Sequence, residues 1–312
     1  MYIVDMVRVV VVRDRTSRGQ DRPDTARYGR MLAAAFASLD ASGSAGSFLK
    51  SLGLRGTVGC KTNCLDSRNP TSPQLASALC GLLTGQAGVA ENDVVIWERS
   101  NRELADAGYT LNAATRGIRC LGTDTAGVGY DETFYGAGAV NTLVSRVLTS
   151  LVDHSINLPV LKDHSIAGLS GGLKNMYGAI RNPNKYHGGN CDPYVADVNS
   201  LGPVRAKYRL TVIDAAQVQY DRGPGFDPRF TAPYGGVIVS TDPVAADAVG
   251  LAVVERLRRR AGLPALEKAG RPAVHIETAA RRGLGTADLA AIDLRIIRLE
   301  QDGRQTPGEL DP

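Results

Sequence analysis

A histidine at 164, a lysine at 174 and a second histidine at 187 surround one glycine-rich segment, "DHSIAGLSGGLKNMYG" (163–178). Imidazole exchanges protons near neutral pH and also binds metals, so His164 and His187 are candidates for acid, base or ligand. No bulky side chain interrupts "SGG" before Leu173 and Lys174, which lets backbone N–H groups approach an anion closely. Ser170, Gly171, Gly172 and Asn175 are therefore expected to help hold one. Lys174 brings a point charge or, where burial lowers its pKa, a nucleophilic amine. Tyr177 could close over a ligand, and "RNPNKYHGGNCDP" (181–193) adds Arg181 and Lys185 beside His187. A turn with incidental polar residues would explain the glycines alone. Two of the chain's four histidines so close together, among three lysine or arginine residues, point instead to a ligand site. His154 and His275 stand apart and read as structural.

Two further groups could complete that site. In "CKTNC" (60–64), Lys61 and Asn63 place a cation and an amide at a strand end, suited to a carboxylate or phosphate. A loop fixed by its asparagine explains the stretch equally well. Asp197, Asn199, Asp214, Asp242 and Asp247 could bind a divalent metal or orient His164. His187 and Asp242 are the residues taken as metal-ligand candidates, with helix capping as the alternative for Asp242.

Absent motifs narrow the chemistry. No GxGxxG follows the first strand, and there is no GxxxxGK[ST] or HExxH. The five cysteines, at 60, 64, 80, 120 and 191, have neither zinc-site nor ferredoxin spacing and read as reduced, buried thiols, with no iron–sulfur cluster expected. A net charge of +4 with 5% aromatic residues does not describe a nucleic-acid binder. The first apolar run is too short for a signal peptide or a membrane span, so a cytoplasmic location and no membrane partner are expected. Oligomeric state is not legible.

The elements that must position these residues alternate between strand and helix. "VRVVVV" (7–12) is a strand buried on both faces, and 24–39 is a helix with Asp24 as its cap. Strands are expected over 56–65, 92–100, within 150–164, and over 208–217, 233–243 and 292–300, with helices over 71–83 and 242–260 and a short helix with a turn within 103–118. This predicts an α/β fold with a largely parallel sheet flanked by helices, formed by residues 1–312 as one unit. A seam is expected near 122–150, where "GVGYDETFYGAGAVN" (127–141) reads as a mobile loop. "KTN", "ERS", "KDH", "IDAA" and "STDP" each follow a predicted strand, the edge where ligands gather in such sheets.

In this order, "KTN" (61–63), "INLPVLKDH" (156–164), "GLSGGLKNMYGAI" (168–180), "VADVN" (195–199), "LTVIDAA" (210–216) and "VIVSTDPVAADAVG" (237–250) resemble the family known as domain of unknown function 362. Many of its members carry a ferredoxin-like domain or an export signal, and neither is visible here. A more distant likeness joins His164, Lys174 and His187 to lactate-racemase-like proteins. That resemblance implies a nickel pincer nucleotide tethered through Lys174, nickel at His187 and acid/base chemistry at His164. The paired-histidine run of the racemases has no counterpart before residue 150.

The residues together predict an enzyme that transfers a proton or hydride on a small carboxylate- or phosphate-bearing substrate. His164, Lys174 and His187 would be catalytic. Lys61, Asn63, Ser170, Gly171, Gly172 and Asn175 would bind the anion. The alternative is a non-catalytic anion- or metal-binding protein.

Overall fold

Alternate residues of the first strand enter different cores. In β1 (Val7–Asp14), Val9 and Val11 pack into one apolar cluster and Val10 and Val12 into another. A strand covered on both faces has no use for polar alternation, hence the valine run. The structure, a computed structural model, describes residues 6–14, 22–300 and 302–310. Residues 1–5 and 15–21, on which the reading of the chain's start partly rests, lie outside the described residues.

Local signals place most of the elements. Helix α1 (Thr25–Leu39) begins where the Asp24 carboxylate accepts the Arg27 N–H at 2.8 Å, and α2 (Ala45–Ser51) follows. β2 (Val58–Lys61) leads through the "TNC" loop to α3 (Pro73–Leu82), with Pro73 in its first turn. β3 (Val94–Glu98), α4 (Asn101–Asp106) and β4 (Arg119–Gly122) come next. α4 is short, and Gly108, at φ +89°, turns the chain out of the helix.

The stretch read as a mobile loop, 127–141, instead holds most of a hairpin. β5 (Tyr130–Ala137) and β6 (Val140–Ser145) pair antiparallel as a separate two-stranded sheet. Its turn is pinned by Asp197, which accepts the Ala139 N–H at 2.8 Å. At Gly138 (φ +54°) a Cβ would lie 2.3 Å from that carboxylate, so the turn requires glycine.

β7 (His154–Asn157), β8 (Val160–His164) and β9 (Gly168–Ser170) bring the chain to α5 (Gly172–Asn175). α6 (Tyr194–Ser200) and α7 (Gly202–Lys207) precede the long strand β10 (Tyr208–Gln219). β11 (Thr231–Ala232) and β12 (Gly236–Ser240) are followed by α8 (Pro243–Arg260), α9 (Val274–Arg281), β13 (Ile292–Leu299) and β14 (Gln305–Pro307).

The central sheet runs β14-β13-β1-β12-β10-β7-β2-β3-β4, with β8, β9 and β11 attached beside β10. Neighbours from β10 through β7, β2 and β3 to β4 are parallel, as are β1 and β13. α1 to α4 cover one face and α5 to α9 the other, giving the expected helix-flanked, mostly parallel sheet. β12 is antiparallel to both of its neighbours, pairing its last residue, Ser240, with Thr211 near the start of β10. The end of β12 therefore lies on the sheet edge opposite to the ends of β2, β3, β8 and β10. Among the described residues, no helix is long and apolar enough to cross a membrane.

Candidate functional site

Lys61 ends β2, Glu98 ends β3 and His164 ends β8, so parallel strands deliver all three to one edge of the sheet. There they line a cavity of about 360 Å³ together with Asn63, Ser170, Lys174, Asn175, Tyr177 and His187. This volume falls in the range of small-molecule sites. Positions as far apart in the chain as 61, 164, 174 and 187 converge on it.

The two cavity imidazoles are held in opposite tautomers. Nδ1 of His164 accepts the backbone N–H groups of Ile166 and Ala167, both at 3.1 Å, so the neutral ring carries its proton on Nε2. Nδ1 of His187 lies 3.1 Å from the Pro183 carbonyl oxygen, which can only accept, so this ring carries its proton on Nδ1. Its Nε2 is left as an acceptor, 3.1 Å from Nζ of Lys174. The rings stack with centroids 5.8 Å apart. Burial, then the charge of Lys174, pushes His164 down to about 3 and also lowers His187, so both rings are neutral near pH 7.

The lysines divide by partner. Lys61 is buried against Glu98 at 2.6 Å and also donates to the Thr62 carbonyl at 2.7 Å. Its charge is thereby answered within the protein, which removes it as a free anion-binding cation. Arg99, on the cavity wall, is paired with Glu103. Lys174 has no carboxylate partner among the described residues; burial brings it down to about 8, and Tyr177 presents its ring 3.8 Å away. Lys162, completely buried behind Asn63, is lowered by burial to about 8 as well.

The remaining predicted anion-binding residues are mostly engaged with one another. Lys162 donates to Asn63 Oδ1 at 3.1 Å, and Asn63 Nδ2 to Asn175 Oδ1 at 3.1 Å. Asn175 Nδ2 then donates to Asn157 Oδ1 at 2.7 Å, and Asn157 Nδ2 to the Gly172 carbonyl at 2.7 Å. Asn63 and Asn175 thus tie β2 and β8 to α5 and have little capacity left for a ligand. The expectation for the glycine loop is corrected in the same way. The Gly172 N–H goes to Asp247 Oδ1 at 2.6 Å and the Leu173 N–H to Oδ2 at 2.9 Å. Gly171 is small because a Cβ there would lie 2.3 Å from that carboxylate. Ser170 keeps a hydroxyl with no hydrogen-bond partner among the described residues, on the cavity wall.

The acidic residues do not gather around His164. Asp242 caps α8, accepting the Val244 and Ala245 N–H groups at 2.8 Å each, and borders a separate depression with Tyr208 at the far sheet edge. Because β12 runs antiparallel, Asp242 lies at the sheet edge away from His164. Asp197 holds the hairpin turn, Asp214 accepts from Tyr28 and Ser72, and Asn199 donates to the Leu173 and Val195 carbonyls. Lys185 turns to the Asn141 carbonyl, and neither it nor Arg181 lines the cavity. All five cysteines are buried and unbridged.

Sequence reasoning missed Lys162, whose burial between two sheet neighbours leaves no mark on spacing. It also missed Asp163, which accepts the Gly223 N–H at 2.6 Å and pairs with Arg271, fixing the loop that carries the cavity residue Pro224. His275 is structural in the sense of being wholly buried, yet it packs close enough to His164 and Lys174 to feel their charge state.

The donors present do not form a metal cage. Among the described residues no group of three or more His, Cys, Asp or Glu side chains is placed to hold an ion. The free nitrogen of His187 is turned onto Lys174, so the residues implied as nickel ligand and nucleotide tether engage each other.

The chain is an α/β protein with a cavity at the carboxyl ends of its parallel strands, walled by two histidines and a buried lysine. Residues 58–252 match the family model described as Domain of unknown function (DUF362), and the chain belongs to that family. Among solved structures it is similar to the lactate racemase apoprotein from Thermoanaerobacterium thermosaccharolyticum, at 13% identity and a TM-score of 0.39, over 62% of this chain and 48% of that one. It is also similar to a protein from Thermotoga maritima, at 11% identity and a TM-score of 0.40, over 76% of this chain and 58% of that one. The chain thus spans about half the length of the solved structures it matches. No curated protein matches it.

Proposed function

We propose that this protein is an enzyme that moves a proton at a carbon beside a carbonyl group of a small carboxylate- or phosphate-bearing substrate. The observation that carries this reading is the pair of neutral imidazoles in opposite tautomers on one cavity wall. One presents a donor and the other an acceptor, the two functions that such a transfer needs at once.

Charge supports an anionic substrate. Of the cavity's cations, Lys61 and Arg99 are paired with Glu98 and Glu103, while Lys174 has no carboxylate partner among the described residues; Lys162 behind the wall forms no ion pair there and feels Asp66 and Glu98 only at a distance. The uncompensated charge draws an anion inward. An anion that takes over the Lys174 N–H releases Nε2 of His187 to act as base. The Pro183 carbonyl then steadies the imidazolium through Nδ1–H. His164 donates Nε2–H to the carbonyl oxygen, where negative charge builds up as the proton leaves. No step is derived through nickel.

The test is deuterium uptake followed by proton NMR, with pyruvate and dihydroxyacetone phosphate as probes. Exchange beside the carbonyl is expected with the wild type and is lost in His164→Ala and His187→Ala, whose circular dichroism stays unchanged. Absence of exchange with both probes, or equal exchange in the variants, rejects the reading.

A further inference from the structure

Lys174 sits in a shell of uncharged groups. His187 lies 3.1 Å from Nζ and the Tyr177 ring 3.8 Å from it, while His164, His275 and Cys191 are the other titratable neighbours. Burial holds the three imidazoles below their usual range and the phenol and thiol above theirs, so all five are neutral near pH 7. Lys61, seated equally deep, has its carboxylate at 2.6 Å; Lys174 has none among the described residues. A buried amine without a counter-charge gives up its proton readily and becomes a nucleophile. With a pKa of about 8, roughly a tenth of it is neutral at pH 7. Lys162 keeps the surroundings attractive to an anion while Lys174 is neutral.

We propose that Lys174 condenses with the carbonyl carbon of a small anionic aldehyde or ketone to form an imine. This rests on the preceding reading in placing a carbonyl substrate in the cavity. Nζ of the neutral amine attacks the carbonyl carbon, and the C=O π electrons move to oxygen, which the His164 Nε2–H stabilises by hydrogen bonding. A proton passes from Nζ through Nε2 of His187 to that oxygen, giving the carbinolamine. The nitrogen lone pair then forms C=N as the C–O bond breaks, and the second amine proton follows the same route to the departing hydroxide. One water is released, and nothing is oxidised or reduced. Once a proton from solvent returns to its nitrogen, the iminium makes the neighbouring carbon more acidic than the parent carbonyl does, which is what the proposed proton transfer uses.

The experiment is trapping. Wild-type protein is incubated with pyruvate or dihydroxyacetone phosphate under sodium borohydride, and peptides are mapped by mass spectrometry. The reduced adduct is expected on Lys174, roughly tenfold or more ahead of exposed Lys50 and of Lys162, which does not line the cavity. Trapping is expected to slow in His187→Gln. No adduct with either probe, or labelling no faster than at Lys50, overturns the imine. Deuterium exchange without an adduct leaves the proton-transfer reading standing and removes only the imine, whereas an adduct without exchange does the reverse.

Discussion

Asp247 occupies the place of an anion at Gly172: Oδ1 accepts the Gly172 N–H at 2.6 Å and Oδ2 the neighbouring Leu173 N–H at 2.9 Å. The glycine loop is therefore a docking point between α5 and α8, and the direction in which Lys174 leaves α5 depends on it. The carboxyl group is completely buried, and burial pushes it up to about 7 against the opposing pull of the two N–H groups.

Asp247→Ala leaves both of those N–H groups buried without an acceptor. A loss of about 2–4 kcal/mol in unfolding free energy is expected, read from urea midpoints at constant m-value. Gly171→Ala should cost about 1–3 kcal/mol, because its Cβ would lie 2.3 Å from Oδ1 of a carboxylate on a packed helix. If Gly171→Ala is silent, the close approach of α8 to the loop is wrong.

Glu98 does for Lys61 what no described residue does for Lys174. It accepts Nζ of Lys61 at 2.6 Å, the Arg99 N–H at 2.7 Å and the Cys64 N–H at 3.1 Å. Glu98→Gln leaves a wholly buried ammonium uncompensated, and a destabilisation of about 3–5 kcal/mol is expected by urea unfolding. Replacing both partners, as Lys61→Met with Glu98→Gln, should recover much of that loss. Additive effects in this cycle would rule out the coupling.

What was legible in the chain followed from local signals. Asp24 and Asp242 announced helix starts through capping chemistry, and the continuous valines of β1 announced a strand covered on both faces. The sheet edge shared by Lys61 and His164 could be foreseen because parallel strands share a direction. Asp242 was misplaced for the same reason: a reversed strand reads like its neighbours, and the pairing of Ser240 with Thr211 is settled only by tertiary packing. The "SGG" run signalled close approach correctly but not what approaches, since Asp247 lies seventy-five residues from Gly172. Lys162 and the asparagine relay were hidden because hydrogen-bond partners such as Asn63 and Asn175, 112 residues apart, leave no periodic trace.

His164 should remain neutral with its proton on Nε2 across the range from about pH 5 to 8, given a pKa of about 3 and two backbone donors on Nδ1. Nitrogen chemical shifts of selectively labelled histidine read this directly. His187 is expected to show the opposite tautomer in the same spectra. With a responding substrate in hand, His164→Ala should lose about 10²–10⁴-fold in kcat. A His164 ring that titrates near 6.5 would remove the donor role assigned to it.

His275 makes its own prediction about acid stability. The ring is wholly buried on α9, neither nitrogen has a hydrogen bond of good geometry among the described residues, and burial, then the charge of Lys174, brings it down to about 3. Its ordinary value in an unfolded chain is 6.5. Between those two values the unfolded chain holds a proton that the folded ring refuses, so stability rises with pH across that window. The contribution is complete above 6.5 and is lost as the pH falls toward 3. His164 follows the same course, and each costs the fold roughly 2–4 kcal/mol as the pH falls from 6.5 to about 4. His275→Phe keeps a ring of similar shape and removes this titration. Its urea midpoint should therefore fall less steeply between pH 6.5 and pH 4 than that of the wild type. At pH 7 the substitution should be neutral or stabilising, because it removes two buried nitrogens that are poorly satisfied. Deuterium exchange with pyruvate should survive it, since His275 does not line the cavity. An unchanged acid slope in His275→Phe would mean that the protonated ring finds a hydrogen-bond acceptor in the folded state, and that its burial is not what makes the fold acid-sensitive.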